Sequence, residues 1–334
     1  MKPPSLGTSV AKPHQLFHGS LYRSTFLKTT PERYAPMRIL VVGAGATGGA
    51  FGTLLQEAGR DVTYLVRPRK QEALRRDGLR FISPTADRTH PVQTITAPDG
   101  SGTFDLILIT VKATAFDGVL GELGAFVGPG TAIIPILNGM AHVDRLEQLY
   151  PGQVLGGLAR IVATLDGDVV RQQTALTSLT VGGLNGNAVP VEISKALDVP
   201  GVDFSVVDDV TGALWEKWAF IAAAGIINCL FRAPVGRIIS AGGRSKILEA
   251  ISETESVAAA AGHPVSDAGH GQALGLLTEP GSAFTSSLYR DLSAGLPSEA
   301  EHILGDLAGR ARSLNVPTPL LDLTLIQIRA GLPL

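Results

Sequence analysis

The sequence predicts an α/β domain with a mostly parallel, doubly wound sheet, followed by an all-α domain. Over residues 37–207, apolar runs alternate with glycine-rich turns and helical patterns, whereas from about residue 208 onward the pattern is helical. Glycine supplies 39 of the 334 residues and aromatic residues only 5%, which is typical of many tight strand-to-helix turns. We therefore predict three segments: a flexible extension over 1–36, the α/β domain over 37–207 and the helical domain over 208–334.

Composition limits the partners and the compartment. The 28 Lys and Arg residues nearly balance the 30 Asp and Glu residues, which argues against nucleic acid or an anionic membrane as the main partner. The single cysteine, Cys229, excludes an internal disulfide framework and a multi-cysteine zinc site, so we expect no metal and a reducing compartment, the cytoplasm. The longest uncharged apolar run, 219–231, is shorter than the ~20 residues of a membrane span and predicts a buried helix.

The first 36 residues have no clear apolar period. They contain five basic residues against one acid, Glu32, a composition that also describes an organelle transit peptide. Because Met37 directly precedes the first predicted strand, we favour a flexible extension or a start codon assigned too far upstream.

The first strand leads into a predicted cofactor site. An unbroken apolar run over 39–42 is followed by a glycine-rich turn and a helical pattern, which is the context that a GxGxxG dinucleotide fingerprint requires. The three glycines permit a tight turn, a close approach of the backbone to a pyrophosphate, and close packing of helix on strand. A glycine turn without a ligand is the alternative. The predicted cofactor-binding residues of this turn are Gly43, Ala44, Gly45, Ala46, Thr47 and Gly48.

The residues after the second strand predict which cofactor binds. A site specific for NADH usually places Asp or Glu there, to accept a hydrogen bond from the ribose 2′-hydroxyl. Here the strand over 62–66 is followed by Arg67, Pro68, Arg69 and Lys70, with no acid. This cluster suits a 2′-phosphate, so we predict NADPH, with Arg67 as the main ligand. Arg69 and Lys70 are equally well explained as solvated residues of the next helix.

Two polar residues follow later strands of the same predicted sheet. The apolar run over 105–111 ends at Lys112, and the run over 131–137 ends at Asn138. Ligands of open parallel sheets bind beyond the carboxyl ends of the strands, so we predict that both residues border the cofactor. Ordinary loop residues are the alternative. The short apolar stretches between residues 154 and 181 are expected to complete this sheet as antiparallel strands.

The helical domain contains three candidates for the chemistry. Lys217 stands at the entrance to the apolar run, where partial burial would lower its pKa and make it an acid near neutral pH. From the residues alone we favour the alternative, a lysine that extends to the surface or pairs with Glu216 or Asp209. Ser287 lies at a predicted helix N-terminus, and Glu299 lies in the first turn of the last predicted helix, where plain capping or dipole effects also suit them.

Asp208 and Asp209 are expected to cap the apolar helix, and further helices are predicted over 245–261, 269–277, 286–292 and 298–314.

An ordered set of motifs extends over residues 37–330: MRILVVGAGA from Met37, Leu65-Val66-Arg67, Val111-Lys112-Ala113, Asn138-Gly139-Met140, Leu214-Trp215-Glu216-Lys217, Thr285-Ser286-Ser287 with Asp291, and Ser298-Glu299 followed by Val316-Pro317-Thr318-Pro319. Together these motifs resemble the ketopantoate reductase (2-dehydropantoate 2-reductase) family, although no single motif is specific. The resemblance implies a Rossmann domain followed by an all-helical domain, with the active site in the cleft between them. It also implies the NADPH-dependent reduction of 2-dehydropantoate to (R)-pantoate in pantothenate and coenzyme A synthesis.

The resemblance implies roles for individual residues. Lys217 matches the family's catalytic lysine, which protonates the oxygen as hydride reaches the ketone carbon. Glu299 matches the acid that orients the substrate hydroxyl and the lysine, and Asn138 and Ser287 match contacts of the substrate or the nicotinamide. The implied partner is a small-molecule 2-oxo acid, and the helices of the second half are compatible with a homodimer.

On the cofactor side, Arg67 matches the family's 2′-phosphate ligand and Lys112 matches a lysine near the cofactor. The sequence departs from the family on the helix of the catalytic lysine, where well-studied members have asparagines one and two turns later and this chain has Ile221 and Gly225. This less polar pocket makes another 2-oxo acid, or a bulkier ketone, the alternative substrate. A redox sensor that binds NADP(H) without turnover is the alternative from another functional class, and it would need the glycine turn but not the lysine.

Overall fold

The computed structural model of the chain describes residues 37–96 and 100–331. The extension predicted over 1–36 lies outside the described residues. In chain order the elements are β1 (Arg38–Val42), α1 (Ala46–Glu57), β2 (Asp61–Leu65), α2 (Pro68–Asp77), β3 (Leu79–Ser83), β4 (Ala86–His90), β5 (Gln93–Ile95), β6 (Phe104–Ile109), α3 (Phe116–Leu123), β7 (Val127–Pro135), α4 (Ala141–Leu149), β8 (Leu155–Asp166), β9 (Val169–Gly183), α5 (Val191–Leu197), β10 (Asp203–Val206), α6 (Val210–Phe231), α7 (Val235–Ser240), α8 (Arg244–Ala260), α9 (Asp267–Leu277), α10 (Ser287–Ser293), a π-helical turn (Glu301–Gly305), α11 (Asp306–Ser313) and α12 (Pro319–Gly331).

Five parallel strands form the first sheet, in the order β5-β2-β1-β6-β7. Successive residues of β1 enter opposite cores: Leu40 and Val42 pack on the side of the helical domain, and Ile39 and Val41 pack on the side of α1 and the second sheet. Burial on both faces explains the unbroken apolar run of this strand and confirms the prediction of an α/β domain with a parallel sheet. The strand order reverses between β1 and β6, which opens a crevice at their carboxyl ends.

A second sheet corrects one expectation. The stretches between residues 154 and 181 do not complete the parallel sheet; they form the long antiparallel pair β8 and β9, in a sheet with β3, β4 and β10. A two-residue turn, Gly167 and Asp168, joins the pair, so pairing within this hairpin replaces pairing with the edge of β7. β8 lies against β7, and one isolated bridge joins Ile133 of β7 to Val154, the residue before β8.

The apolar run predicted as a buried helix belongs to α6. Asp209 caps this helix, its Oδ1 accepting a hydrogen bond from Gly212 N at 2.8 Å, and α8, α9, α10 and α12 pack around it. By length and composition α6 could cross a membrane, the one such helix among the described residues, but 67% of its most apolar window is buried inside the protein. It is therefore interpreted as the core helix of an all-α domain.

The remaining helix predictions are confirmed by α8, α9, α10 and the segment that ends in α11. That last segment opens with a π-helical turn instead of a regular helix, a feature that often accompanies functional sites. α12 has no counterpart among the predicted helices.

Candidate active site

The carboxyl ends of the first sheet bring three predicted sites to one edge. The glycine-rich turn follows β1, Lys112 lies three residues after β6, and Asn138 lies three residues after β7. Hydrogen bonding continues past the strands, since Thr110 N donates to Val42 O at 3.0 Å. All three segments therefore emerge beside the crevice where ligands of such sheets bind.

The glycine-rich turn has the geometry of a phosphate-binding loop. Gly43 has a φ of 98°, a left-handed value that favours glycine. A Cβ on Gly48 would lie 2.0 Å from Gly43 O and 2.1 Å from Thr110 Oγ1, whereas a Cβ on Gly45 would meet no atom within 4 Å. No side chain caps the N-terminus of α1, so its first-turn amides can bind an anion. The open space at Gly45 and these amides fit a dinucleotide pyrophosphate.

We expect Gly45→Ala and Gly48→Ala to separate cofactor binding from folding. The alanine at 45 fills open space where a phosphate would approach, so the Kd for NADPH should rise at least about tenfold while the melting temperature is unchanged. The alanine at 48 must displace Gly43 or Thr110, so the melting temperature should fall, by about 2–4 °C for each kcal/mol lost. Calorimetry and NADPH fluorescence titration measure both properties, and a Gly45→Ala variant that binds NADPH normally would contradict the assignment.

The basic residues after β2 differ in their surroundings. Arg67 and Arg69 are exposed, and neither has an ion-pair partner in the part of the chain that the structure describes. Lys70, by contrast, forms an ion pair from Nζ to Asp168 Oδ1 at 2.7 Å. Its charge is therefore already compensated, and the anion-binding capacity at this edge rests with the two arginines.

Lys217 lies on α6 and is half-buried, with Nζ donating a hydrogen bond to Ala159 O of β8 at 3.2 Å. Burial lowers the pKa of this amine to about 8. The positive charge of Arg160 acts in the same direction, and the negative charge of Glu299 opposes both. At pH 7 the amine is still mostly protonated and releases its proton more readily than an exposed lysine. This environment suits a proton donor rather than a lysine that extends into water.

Glu299 lies just before the π-helical turn that leads into α11, and it connects this segment to the first sheet. Its Oε1 accepts a hydrogen bond from Ala113 N at 2.8 Å, in the loop that follows β6. Its charge reaches Lys217 and raises the pKa of the amine, although no ion pair joins the two groups among the described residues. The carboxylate thus holds the loop after β6, at the carboxyl ends of the first sheet, and it favours the protonated lysine at the same time.

Two other predicted site residues occur on or beside α10. Lys112 Nζ forms an ion pair with Asp291 Oδ2 at 2.9 Å, which links the loop after β6 to this helix. Ser286, rather than Ser287, caps the helix, its Oγ accepting a hydrogen bond from Tyr289 N at 3.2 Å. The plain-capping explanation therefore applies to Ser286, and it leaves the exposed Ser287 without a capping role.

The positions that depart from the family are apolar. Ile221 is half-buried one turn after the lysine, and Gly225 is buried a turn later. A Cβ on Gly225 would lie 3.2 Å from Leu288 and 3.5 Å from Leu304, so leucines occupy the space into which a longer side chain would extend. Asn228 does not replace a polar group here, because its amide bonds the backbone of neighbouring loops.

A histidine pair that the sequence does not predict lies beside the loop of Asn138. His142 Nδ1 lies 3.1 Å from His302 Nε2, and the rings stack with centroids 5.3 Å apart. A Cβ on Gly139 would lie 3.1 Å from the backbone oxygen of His302, so the loop rests directly on that residue. Burial lowers the pKa of His142 to about 3 and keeps its ring neutral. The pair holds the Asn138 loop against the segment that begins at Glu299, and no local pattern indicates it because the histidines are 160 residues apart.

Comparison with known proteins covers both halves of the chain. Residues 39–186 match the family model described as "Ketopantoate reductase PanE/ApbA", and residues 209–331 match "Ketopantoate reductase PanE/ApbA C terminal". An "Uncharacterized oxidoreductase YkpB" from Bacillus subtilis is 32% identical, over 86% of this chain and 96% of its own length. A 2-dehydropantoate 2-reductase from Archaeoglobus fulgidus is 27% identical, over 84% of this chain and 92% of its own. The solved structure of a 2-dehydropantoate 2-reductase from Geobacter metallireducens GS-15 superposes with a TM-score of 0.80 at 25% identity, covering 89% of this chain and 100% of that one.

Proposed function

The chain belongs to the ketopantoate reductase family of oxidoreductases, and from this premise we propose that it reduces 2-dehydropantoate to (R)-pantoate with NADPH, as a step of pantothenate and coenzyme A synthesis. The observation that carries the proposal is Lys217, a half-buried amine whose pKa falls to about 8 and which the charge of Glu299 keeps protonated. A proton donor of this kind is what reduction of a ketone requires, since negative charge develops on the carbonyl oxygen.

When bound, NADPH would supply the hydride for the ketone carbon. As the new C–H bond forms, the electron pair of the C=O π bond moves to oxygen, and Lys217 transfers a proton from Nζ to that oxygen. The neutral amine then regains a proton from water, so the balance is one 2-oxo acid, one NADPH and one proton consumed for one 2-hydroxy acid and one NADP⁺. Glu299 favours the protonated amine throughout, and Asn138 and Ser287 contact the substrate or the nicotinamide.

The glycine-rich turn would hold the pyrophosphate of the cofactor, and Arg67 would hold its 2′-phosphate. Support for NADPH comes from two features at the end of β2: the absence of an acid and two exposed arginines without ion-pair partners among the described residues. Lys112, at the same edge, has its charge paired with Asp291 and borders the cofactor as a residue that links the loop to α10.

We expect Arg67→Ala to change the preference between cofactors. Loss of a charge-assisted contact to phosphate should raise the KM for NADPH about 10- to 100-fold and leave the KM for NADH nearly unchanged. Arg75→Ala changes an exposed arginine of α2, the helix that begins directly after Arg67; it is the matched control and should leave both constants as they are. Steady-state kinetics with both cofactors measure the effect, and an equal change for NADH and NADPH would refute the role of Arg67.

A second candidate is a reductase of another 2-oxo acid or a bulkier ketone. It is favoured by Ile221 and Gly225, because α6 carries no polar side chain at these two positions beyond Lys217. Rates of NADPH oxidation with 2-dehydropantoate and a panel of 2-oxo acids separate the candidates: the first expects the highest kcat/KM with 2-dehydropantoate. Absence of turnover with every member of the panel would instead favour a non-catalytic NADP(H) sensor.

The proposal places the enzyme in the cytoplasm. Its single cysteine, Cys229, is a free and buried thiol, so no disulfide of this chain requires an oxidising compartment.

A further inference from the structure

The glycines of β8 show which neighbouring element each face of the strand packs against. A Cβ on Gly157 would lie 2.3 Å from Ile134 of β7, whereas a Cβ on the preceding Gly156 would lie 2.6 Å from Val210, the first residue of α6. Side chains alternate along a strand, so the even-numbered residues of β8 face α6. Leu158 agrees, since it belongs to the same buried cluster as α6. Arg160 lies two residues after Leu158 and therefore belongs to the same face of β8.

Lys217 lies about as far along α6 from Val210 as Arg160 lies along β8 from Gly156. Seven residues of helix from Val210 span about 10 Å, and four residues of strand from Gly156 span about 13 Å. The direct contact confirms this match, because Lys217 Nζ donates a hydrogen bond to the carbonyl of Ala159, the residue before Arg160. The charge of Arg160 is also the largest influence after burial that lowers the pKa of the lysine. Arg160 therefore belongs to the face of β8 that packs against α6, and it lies close enough for its charge to act on Lys217.

Neither cation has a carboxylate partner in residues 37–96 and 100–331. The guanidinium of Arg160 is exposed and forms no ion pair, and the amine of Lys217 bonds a carbonyl oxygen. Two other titratable groups interact electrostatically with Lys217. Glu299 accepts a hydrogen bond from Ala113 N, and His142 is neutral because its pKa is about 3. Two neighbouring cations without counter-ions repel each other. An anion bound between them would be attracted to both and would offset this repulsion.

We propose that Arg160 binds the carboxylate of the substrate while Lys217 faces the adjacent keto oxygen, which makes Arg160 a specificity-determining residue for 2-oxo acids. This inference rests on the proposed function. In a 2-oxo acid the carboxylate carbon is bonded directly to the ketone carbon, so a second cation close to the proton donor is well placed to bind the carboxylate. A guanidinium suits that role because it binds a carboxylate with two parallel hydrogen bonds and does not lose its charge.

The test compares Arg160→Gln with Arg171→Gln, an exposed arginine on β9 of the same hairpin. For 2-dehydropantoate, Arg160→Gln should raise the KM about 10- to 100-fold with a much smaller change in kcat, and Arg171→Gln should change neither. For the corresponding 2-oxo amide, which has no carboxylate, the two variants should behave alike. The Kd for NADPH should stay constant in both. Removal of the like charge should also move the basic limb of the pH profile to higher pH.

Binding separates this inference from the proposed function. Calorimetry with the NADP⁺-loaded enzyme and 2-dehydropantoate needs no turnover, and Arg160→Gln should weaken this binding by the same 10- to 100-fold factor. If the wild type oxidises no NADPH with any 2-oxo acid, the proposed function fails, and the calorimetric result alone decides whether the carboxylate site exists. If the wild type is active but Arg160→Gln keeps the wild-type KM and Kd, the inference on Arg160 is wrong while the reductase function stands.

Discussion

Replacement of Lys217 by methionine is expected to lower kcat for NADPH oxidation by about 10²- to 10⁴-fold, the range for loss of a general acid. Methionine lacks the terminal amine but keeps most of the length and volume of the lysine side chain, so the packing of α6 against β8 should persist. The loss would come from the transition state, where no amine would meet the negative charge on the substrate oxygen. Steady-state and single-turnover kinetics with 2-dehydropantoate measure the effect.

The same variant should bind NADPH with nearly wild-type Kd, because the glycine-rich turn and Arg67 lie on other elements. Lys195→Met, at an exposed lysine of α5, is the matched control and should have full activity. A Lys217→Met enzyme that retains most of the wild-type kcat would show that another group supplies the proton.

Glu299→Gln is expected to have the second largest effect, a loss of about 10- to 100-fold in kcat/KM. The glutamine carbonyl can still accept the hydrogen bond from Ala113 N, so the loop after β6 should stay in place. The negative charge that favours protonated Lys217 is lost, however, and the pKa of the amine should fall further below its value of about 8. The basic limb of the pH profile should therefore move to lower pH, opposite to the shift expected for Arg160→Gln.

Glu301→Gln serves as the control for this variant. Glu301 lies two residues away, is exposed, and pairs with Arg329 instead of the site. Its replacement should leave both the rate and the pH profile unchanged. Equal profiles for Glu299→Gln and the wild type would mean that Glu299 acts only as a hydrogen-bond acceptor for the loop.

The features that sequence could predict are those fixed by neighbouring residues. The glycine-rich turn, the capping of α6 by Asp209 and the apolar run of β1 all depend on a few consecutive residues, and their local signals agree with the fold. The family resemblance added the role proposed for Lys217, which the neighbouring residues of the sequence did not determine. The lowered pKa of Lys217 depends on the packing of α6 against β8, which the helical pattern of the sequence does not predict.

The features that sequence could not predict depend on long-range pairing. The second sheet joins β3 to β9, which are separated by about 90 residues of chain, so its strands resembled extensions of the first sheet. The approach of Arg160 to Lys217 and the stacking of His142 on His302 likewise require the two halves of the chain to be packed together. The π-helical turn that presents His302 has no compositional signal of its own.

The pH dependence of kcat/KM for 2-dehydropantoate, in the wild type and in Lys217→Met, tests the central claim most directly. A general acid must carry its proton, so the wild-type rate should be constant at lower pH and fall tenfold per pH unit above about 8, where Lys217 becomes neutral. The residual activity of Lys217→Met, measured at higher enzyme concentration, should lack this limb. The same limb near pH 8 in both enzymes would contradict the assignment of the proton to Lys217.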